Sequence, residues 1–330
     1  MRDHLVIVGA TGAVGREMLK ILEKRGFPAE RLHVVASQRS EGVKLTYGET
    51  TLTVERLGTE VFERAKAALF SAGAETSRRW ATVAVQAGAV VIDNSSAFRM
   101  DKDVPLVIPE VNPLRIKRRP RGIIANPNCA TIQLLVALQP LIATFPIQRL
   151  VVTTLQAVSG KGARALAEFD EQTNALAKGH TPPTKIFPGI IAGNILSDWA
   201  HLPDGSSEEE VKIVNESRKI LELPGLPVSA TCFRVPVRNA HTVSAWVQFT
   251  SSVKRHQALD LLREAPGVTL MEEIGPGKHP QPREVSGQDN VYVGRVRQDS
   301  TDPKALQIWI VGDNLRKGAA LNAIQIFDRL

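Results

Sequence analysis

The sequence predicts an α/β protein with a doubly wound parallel N-terminal domain, an α+β second domain, and a C-terminal helix that returns to the first. Three observations carry this. Short apolar runs alternate with helical segments through residues 1 to 128. A glycine-rich turn follows the first of those runs directly. From Arg149 the texture changes to longer, alternating strands.

The first run is "HLVIVG", residues 4 to 9. In the stretch after it, Val14, Met18, Leu19 and Leu22 recur at helical spacing, and Gly26 and Pro28 stop the helix. "LHVVAS", "AALFSAG", "AVVIDNS" and "GIIANPN" read as four more strands, with the helix-like "ETSRRWATVAVQAG" between the second and third of these. Strands that alternate with helices imply βαβ units and a parallel sheet. Beyond Arg149, "RLVVTTLQAVSG", "SATCFRVPV", "HTVSAWVQFT", "NVYVGRVRQ" and "ALQIWIVGD" read as longer strands, several of which alternate apolar and polar residues. That pattern suggests an antiparallel sheet with one covered face. A polar helix falls near "SSEEEVKIVNESRKILE", and "NLRKGAALNAIQIFDRL" returns to helix. The expected domains are 1–128 with 314–330, and 129–313.

A chain of 330 residues with 43% hydrophobic and 23% charged residues is long and apolar enough for two cored domains. No apolar run is long enough to span a bilayer, so no membrane partner is expected. "MRDHLVIVGATG" enters a strand without an apolar leader, so a secretory signal is not expected. Cys129 and Cys232 are the two cysteines, too few for a disulfide framework. A reducing cytoplasm is the expected compartment. The formal charge of +7 owes much to "RIKRRPRG", Arg115 to Gly122. That run is short, holds a proline and lacks aromatics, so it reads as a solvated loop and no nucleic-acid partner is expected. A basic balance also draws in anionic ligands.

"GATGAVG" places Gly9, Gly12 and Gly15 between a strand and a helix start. Such a turn lets backbone approach a pyrophosphate at a helix N-terminus, so the first domain is expected to be a Rossmann-type dinucleotide-binding domain. The spacing is one residue longer than G-x-G-x-x-G; the strand before it and the βαβ context strengthen it. A plain glycine turn is the structural alternative. The second strand ends "VVASQRSEG". Ser37, Arg39 and Ser40 stand where an NAD site carries a carboxylate for the ribose. An arginine and hydroxyls suit a 2′-phosphate, so NADP is expected; an ordinary surface arginine is the alternative.

"NPNCATIQ" puts Cys129 in the first turn of a helix-like run at the C-terminal edge of the parallel sheet, with Asn128 as a plausible N-cap. There the positive end of the helix dipole favours thiolate, which makes Cys129 a candidate nucleophile. A buried inert thiol is the alternative, and it is the favoured reading for Cys232 inside a strand. A nucleophilic thiolate needs an acid/base partner. His241 opens the strand "HTVSAWVQF" seven residues after Arg234, so a turn between them would put a cation and an imidazole at one mouth. No histidine, cysteine and carboxylate cluster has metal-ligand spacing, and no metal is expected.

Together "GATGAVG", "SQRS", "FSAG", "DNSSAFRM", "PEVNP", "NPNCATIQ", "LQAVSG", "EEEVKIVNESRKIL", "FRVPVRNAH" and "GDNLRKGAALNA" make the chain resemble the aspartate-β-semialdehyde dehydrogenase family over nearly its whole length. The resemblance implies roles. Cys129 would be the nucleophile, His241 the general acid/base, and Gln156 the residue that orients substrate and reacting centre. Arg234 would bind the substrate carboxylate as a bidentate fork. Glu209 would take the amino group, with Glu208 and Glu210 as competitors in the same acidic triplet. Arg99 and Lys212 would hold phosphate, with help from Asn128. Gly9, Thr11, Gly12, Ala13 and Val14 would line the pyrophosphate, and Ser37, Arg39 and Ser40 the 2′-phosphate. Ser71 and Gly73 would flank the ribose; Ser159, Gly160 and Asn314 would lie near the nicotinamide. Arg99 and Lys212 could equally be surface charges, Glu209 a helix-start acid, and Gln156 a partner for backbone.

The implied reaction is NADPH-dependent reductive dephosphorylation of β-aspartyl phosphate to aspartate β-semialdehyde and inorganic phosphate through a cysteine thioester, in the aspartate pathway to lysine, threonine, methionine and isoleucine. The family implies a homodimer paired through the second domain. The chain departs from the family pattern at "SGKG", where a small residue usually stands in place of Lys161, at "FPGIIAGNIL", and at Glu41. The competing readings are an N-acetylglutamyl-phosphate reductase, which has no substrate amine for Glu209, and a silent NADP-binding paralogue, which would be expected to lose the cysteine or its partner.

Overall fold

The computed structural model describes residues 3–330. The chain forms two compact units, Met1–Asn128 with Ala319–Leu330, and Cys129–Gly318.

The first unit contains β1 (His4–Val8), α1 (Ala13–Lys24), β2 (Leu32–Ala36), β3 (Lys44–Tyr47), β4 (Thr50–Thr53), β5 (Glu55–Arg56), β6 (Ala65–Phe70), α2 (Ala74–Gln86), β7 (Val90–Asp93) and β8 (Ile123–Ala125). Six of these strands form one parallel sheet, ordered β5-β2-β1-β6-β7-β8. Leu5 to Val8 and Ala67 to Phe70 are fully buried. Such continuous apolar strands fit a sheet covered on both faces. Met18, Leu19, Ile21 and Leu22 give α1 the apolar face that covers one side. The expected five strands are all present. The hairpin β3–β4 and the two-residue edge strand β5 were not anticipated. β5 is exposed and charged, so no apolar pattern marks it.

The second unit contains α3 (Cys129–Thr144), β9 (Ile147–Gln156), α4 (Ala163–Ala177), α5 (Glu208–Leu221), β10 (Val228–Arg234), β11 (His241–Phe249), α6 (Arg255–Arg263), β12 (Val268–Met271), α7 (Pro282–Val285), β13 (Val291–Gln298) and β14 (Ala305–Gly312). Its sheet is ordered β10-β9-β11-β14-β13-β12. The expected antiparallel sheet is in fact mixed. β9 pairs in parallel with β10, and β12 with β13. The long connection through α4 and α5 is the crossover that parallel pairing requires, whereas β11 returns after a short turn and pairs antiparallel. The central helix is α3. Residues Ala130 to Leu138 are all buried, so it has no polar face. It packs on β9, β11, β13 and β14, and against α5 and α6.

The C-terminal helix α8 (Leu321–Phe327) belongs to the first unit. Leu321 and Ile324 join the core that includes Leu5 and Ile92. Asn322 Nδ2 donates to Val107 O at 3.0 Å and to Asn126 Oδ1 at 2.6 Å. The chain re-enters this unit at Ala319. Asn314, the expected point of return, is tied within the second unit to Ser159 and to the Ala240 amide. No helix among the described residues is long and apolar enough to cross a membrane.

Candidate active site

Four neighbouring strand ends form the floor of the candidate site in the second unit. Arg234 ends β10 in register with Gln156, which ends β9. His241 begins β11 beside them, in register with Gly312 at the end of β14. The parallel pair runs in the opposite sense to β11, so two C-terminal ends and one N-terminal start meet at one edge. That register brings Gln156 to Arg234 and His241, which lie far from it in sequence.

The Ala157 peptide ties two of them. Its N–H donates to His241 Nδ1 at 2.9 Å, and its carbonyl accepts from Arg234 Nη1 at 2.9 Å. His241 is fully buried. Because Nδ1 accepts a hydrogen bond, the neutral ring carries its proton on Nε2. Burial, and secondarily the Arg234 charge, push its pKa well below the ordinary value. The resting imidazole is therefore neutral at physiological pH. Its Nε2 is buried and has no hydrogen-bond partner among the described residues. Gly160 leaves the space in front of it: a Cβ there would lie 3.1 Å from Arg234 Nη1 and 3.2 Å from His241 Nε2.

The acidic triplet separates by geometry. Ser207 and Glu210 form the capping box of α5, and Glu210 also accepts from the Cys232 amide at 2.9 Å. Glu208 is exposed. Glu209 is buried, and its carboxylate accepts from Gln156 Nε2 at 3.1 Å and from Lys212 Nζ at 3.4 Å. Glu209 is thus the member that reaches the strand ends.

Cys129 opens α3 and is partly exposed. One turn later Gln133 donates to Gly312 O at 2.9 Å, and Gly312 is the register partner of His241. The start of α3 is thereby fixed beside the start of β11. Cys232 is different: it is buried, and burial pushes its thiol up to about 12. It stays an inert thiol, as expected. Ser159 Oγ, Asn239 and Asn314 share one hydrogen-bonded network with the Ala240 amide, next to Gly160.

The residues expected to hold the pyrophosphate, the ribose and the 2′-phosphate gather in the first unit, at the C-terminal ends of β1, β2 and β6, whereas Ser159, Gly160 and Asn314 belong to the second. The Gly9 and Ala10 amides donate to Val35 O, and the Ser71 amide donates to Val8 O. Gly9 has φ of +93°, and a Cβ there would lie 2.5 Å from Ser71 O. Only glycine fits that close approach. Thr11 and Gly12 form the turn into α1, Ala13 and Val14 begin that helix, and Gly73 precedes α2. The N-terminus of α1 has no side-chain cap and no acidic residue in its first turn, so its amides suit a pyrophosphate. Ser37, Arg39 and Ser40 form the turn after β2; Arg39 is exposed and makes no ion pair among the described residues. These features fit an NADP-type dinucleotide. Arg99 lies in the same unit, 9% exposed, and donates to the carbonyls of Asn126 and Asn94. Asn128 is buried at the end of that unit.

A family model for the semialdehyde dehydrogenase dimerisation domain matches residues 138–317, and the model for the NAD-binding domain of the same family matches residues 4–119. The chain belongs to the semialdehyde dehydrogenase family. It is 45% identical to the aspartate-semialdehyde dehydrogenase of Prochlorococcus marinus over 99% of this chain and 95% of that one. It is 42% identical to the enzyme of the same name from Bacillus subtilis, over 99% of this chain and 97% of that one. The crystal structure of Vibrio cholerae aspartate semialdehyde dehydrogenase II complexed with ASA superposes with a TM-score of 0.96 at 42% identity, covering 100% of this chain and 98% of that one. The resemblance read from the motifs and the expected fold class are both borne out.

Sequence reasoning missed several members of the site. Asp198 and Trp199 lie in an irregular segment with no motif. Asp198 accepts from Arg234 Nε at 3.3 Å and pairs with Lys161 Nζ at 3.0 Å; Trp199 lies under the guanidinium at 4.5 Å. Gly318 packs against Cys129: a Cβ there would lie 2.9 Å from the cysteine Cβ. The capping-box spacing Ser207–Glu210 was a usable signal, since it assigns Glu210 to the helix cap and leaves Glu209 as the candidate that faces the strand ends.

Proposed function

We propose that the chain catalyses NADPH-dependent reductive dephosphorylation of β-aspartyl phosphate to aspartate β-semialdehyde and inorganic phosphate. The observation that carries this reading is the single edge where Arg234, Gln156 and His241 converge, with Glu209 held by Gln156 and the thiol of Cys129 on the helix braced against that edge. A buried cation and a buried carboxylate on one floor suit the α-carboxylate and α-amine of an aspartyl group. An N-acetylglutamyl substrate would bring no free amine to the Glu209 carboxylate.

Cys129 attacks the acyl carbon. A C–S bond forms, the C–O bond to phosphate breaks, and the thiol proton ends on the departing phosphate. His241 serves this step through Nε2, because Ala157 closes Nδ1. The Nε2–H donates to charge that develops at the reacting oxygen and leaving group, in a site that excludes water from the ring. Lys212 supplies a cation for the phosphate; Arg99 and Asn128 carry the same assignment from the resemblance. Gln156 and Arg234 hold the acyl group against the sulfur, which lowers the entropic part of the barrier. Bound NADPH would supply a hydride. The thioester carbon takes it, the C–S bond breaks, and Cys129 leaves as thiolate while the semialdehyde forms. Ser159, Gly160 and Asn314 shape the nicotinamide side, and Ser37, Arg39 and Ser40 favour NADP over NAD.

The dimerisation-domain match supports a homodimer, and a biosynthetic reductase with free thiols fits the cytoplasm. The test is cofactor reduction by the purified protein with aspartate semialdehyde and inorganic phosphate. Phosphate-dependent NADPH formation, faster than NADH formation, is expected. Turnover independent of phosphate would overturn the acyl-phosphate chemistry.

A further inference from the structure

Arg234 is 3% exposed, and its donors are unequally free. Nε faces both Asp198 oxygens at 3.3 and 3.4 Å. One Nη1 proton goes to Ala157 O, and the indole of Trp199 covers one face. One Nη1 proton and both Nη2 protons have no acceptor among the described residues, so the terminal end of the guanidinium is left to bind a ligand. Gly160 keeps the space beside that end open.

This arrangement creates an electrostatic problem. The Asp198 side chain is fully buried. A buried carboxylate against Arg234 makes a neutral pair, and a neutral pair attracts the substrate's carboxylate group poorly. Lys161 addresses this. Its Nζ lies 3.0 Å from the Asp198 carboxylate and 3.3 Å from the Asp198 backbone carbonyl, with the Phe187 ring 5.7 Å away. Two cations around one carboxylate leave a net charge of +1.

We infer that Lys161 and Asp198 are positioning residues for Arg234: Asp198 turns the terminal edge of the guanidinium toward the substrate carboxylate, and Lys161 restores the positive charge that Asp198 would otherwise cancel. The inference rests on the reading of Arg234 as the carboxylate-binding residue. It assigns a role to the lysine that departs from the family pattern, and to an aspartate outside every motif.

Steady-state kinetics with aspartate semialdehyde, phosphate and NADP test it. Lys161 is partly exposed, so K161A is expected to fold. K161A should raise KM for the semialdehyde roughly three- to tenfold, the scale of one partly screened charge, with kcat changed less than about twofold. KM for phosphate should stay within about twofold, since the effect acts through Arg234. K161R should restore the semialdehyde KM. The decisive variant is K161A/D198N. It returns the net charge to +1 and keeps an oxygen acceptor for Arg234 Nε, so its KM should fall back toward the wild-type value. An unchanged KM in K161A overturns the inference. So does an equal rise for phosphate, or a double variant worse than K161A, which marks a merely structural bridge. If D198N fails to fold, the K161A and K161R comparison and the phosphate control still decide. A wild-type protein without phosphate-dependent turnover would instead overturn the functional reading itself.

Discussion

Replacing Gly160 with alanine adds one methyl group to the space that Arg234 and His241 share. That Cβ would lie 3.1 Å from Arg234 Nη1, 3.1 Å from His241 Cε1 and 3.2 Å from His241 Nε2. Ordinary contacts of this kind begin near 3.4 Å, so each neighbour must retreat by a few tenths of an ångström. His241 cannot retreat freely, because it is fully buried and held by the Ala157 amide. A misplacement of about 1 Å at a reacting centre costs on the order of 100-fold, so a third of that on two groups should cost roughly tenfold in kcat/KM. The added methyl also stands where substrate would approach Nε2, so both KM and kcat should suffer. Gly160 is exposed and its φ is not positive, so the backbone accepts alanine, but the contact with two buried groups should also lower stability by about 1 kcal/mol. G225A is the control, since nothing lies within 4 Å of its added Cβ. The assay is phosphate-dependent NADPH formation beside a thermal melt. A G160A protein with unchanged melting temperature and wild-type kcat/KM would refute the placement of substrate against this edge.

Further outcomes are expected elsewhere. C129S should lose turnover by at least about 10³-fold yet bind NADP normally, as titrated by fluorescence; residual phosphate-dependent turnover near wild type would sink the nucleophile. R39A should weaken NADP by roughly tenfold and NAD hardly at all, and equal losses would remove the 2′-phosphate reading. His241 bears on stability through its lowered pKa. Above its ordinary value of 6.5 neither folded nor unfolded state is protonated there, so no cost arises. Below 6.5 the unfolded chain binds a proton that the folded one refuses, so stability falls as pH falls, by up to about 1.4 kcal/mol per pH unit until the folded pKa is reached. H241N should flatten that dependence in melts between pH 7 and 5; a parallel profile would contradict a neutral buried ring.

What was legible in the sequence was local. The turn from Gly9 to Val14 and the helix that opens at Cys129 are each written within a few residues, so strand, glycine and helix start could be read directly. Arg234 and His241 were readable as strand ends flanking a turn. Their union with Gln156 was not, because it depends on a parallel register between β9 and β10 that only the long crossover dictates. The alternating pattern of those strands marks a half-covered sheet and says nothing of strand direction. The triplet at 208–210 was ambiguous by register alone; the cap formed by Ser207 and Glu210 resolves it. Asp198 and Trp199 sit in a segment without periodicity, so nothing local connected them to Arg234. What delivers them is the backbone pairing of Leu196 with Arg234 itself, at 3.0 and 2.8 Å, in a segment anchored further upstream on α4. Glu168 of α4 accepts from the Lys185, Ile186 and Phe187 amides, and Gln172 from Ile191 and Ala192.

The most direct test of the central claim is mass spectrometry of the protein mixed with β-aspartyl phosphate in the absence of NADPH. Without hydride the reaction should stop at the thioester. One aspartyl group should then appear on the peptide that carries Cys129, be released by hydroxylamine, disappear on addition of NADPH, and be absent from C129S. An unmodified Cys129 in protein that turns over normally when NADPH is supplied would contradict covalent catalysis by this residue.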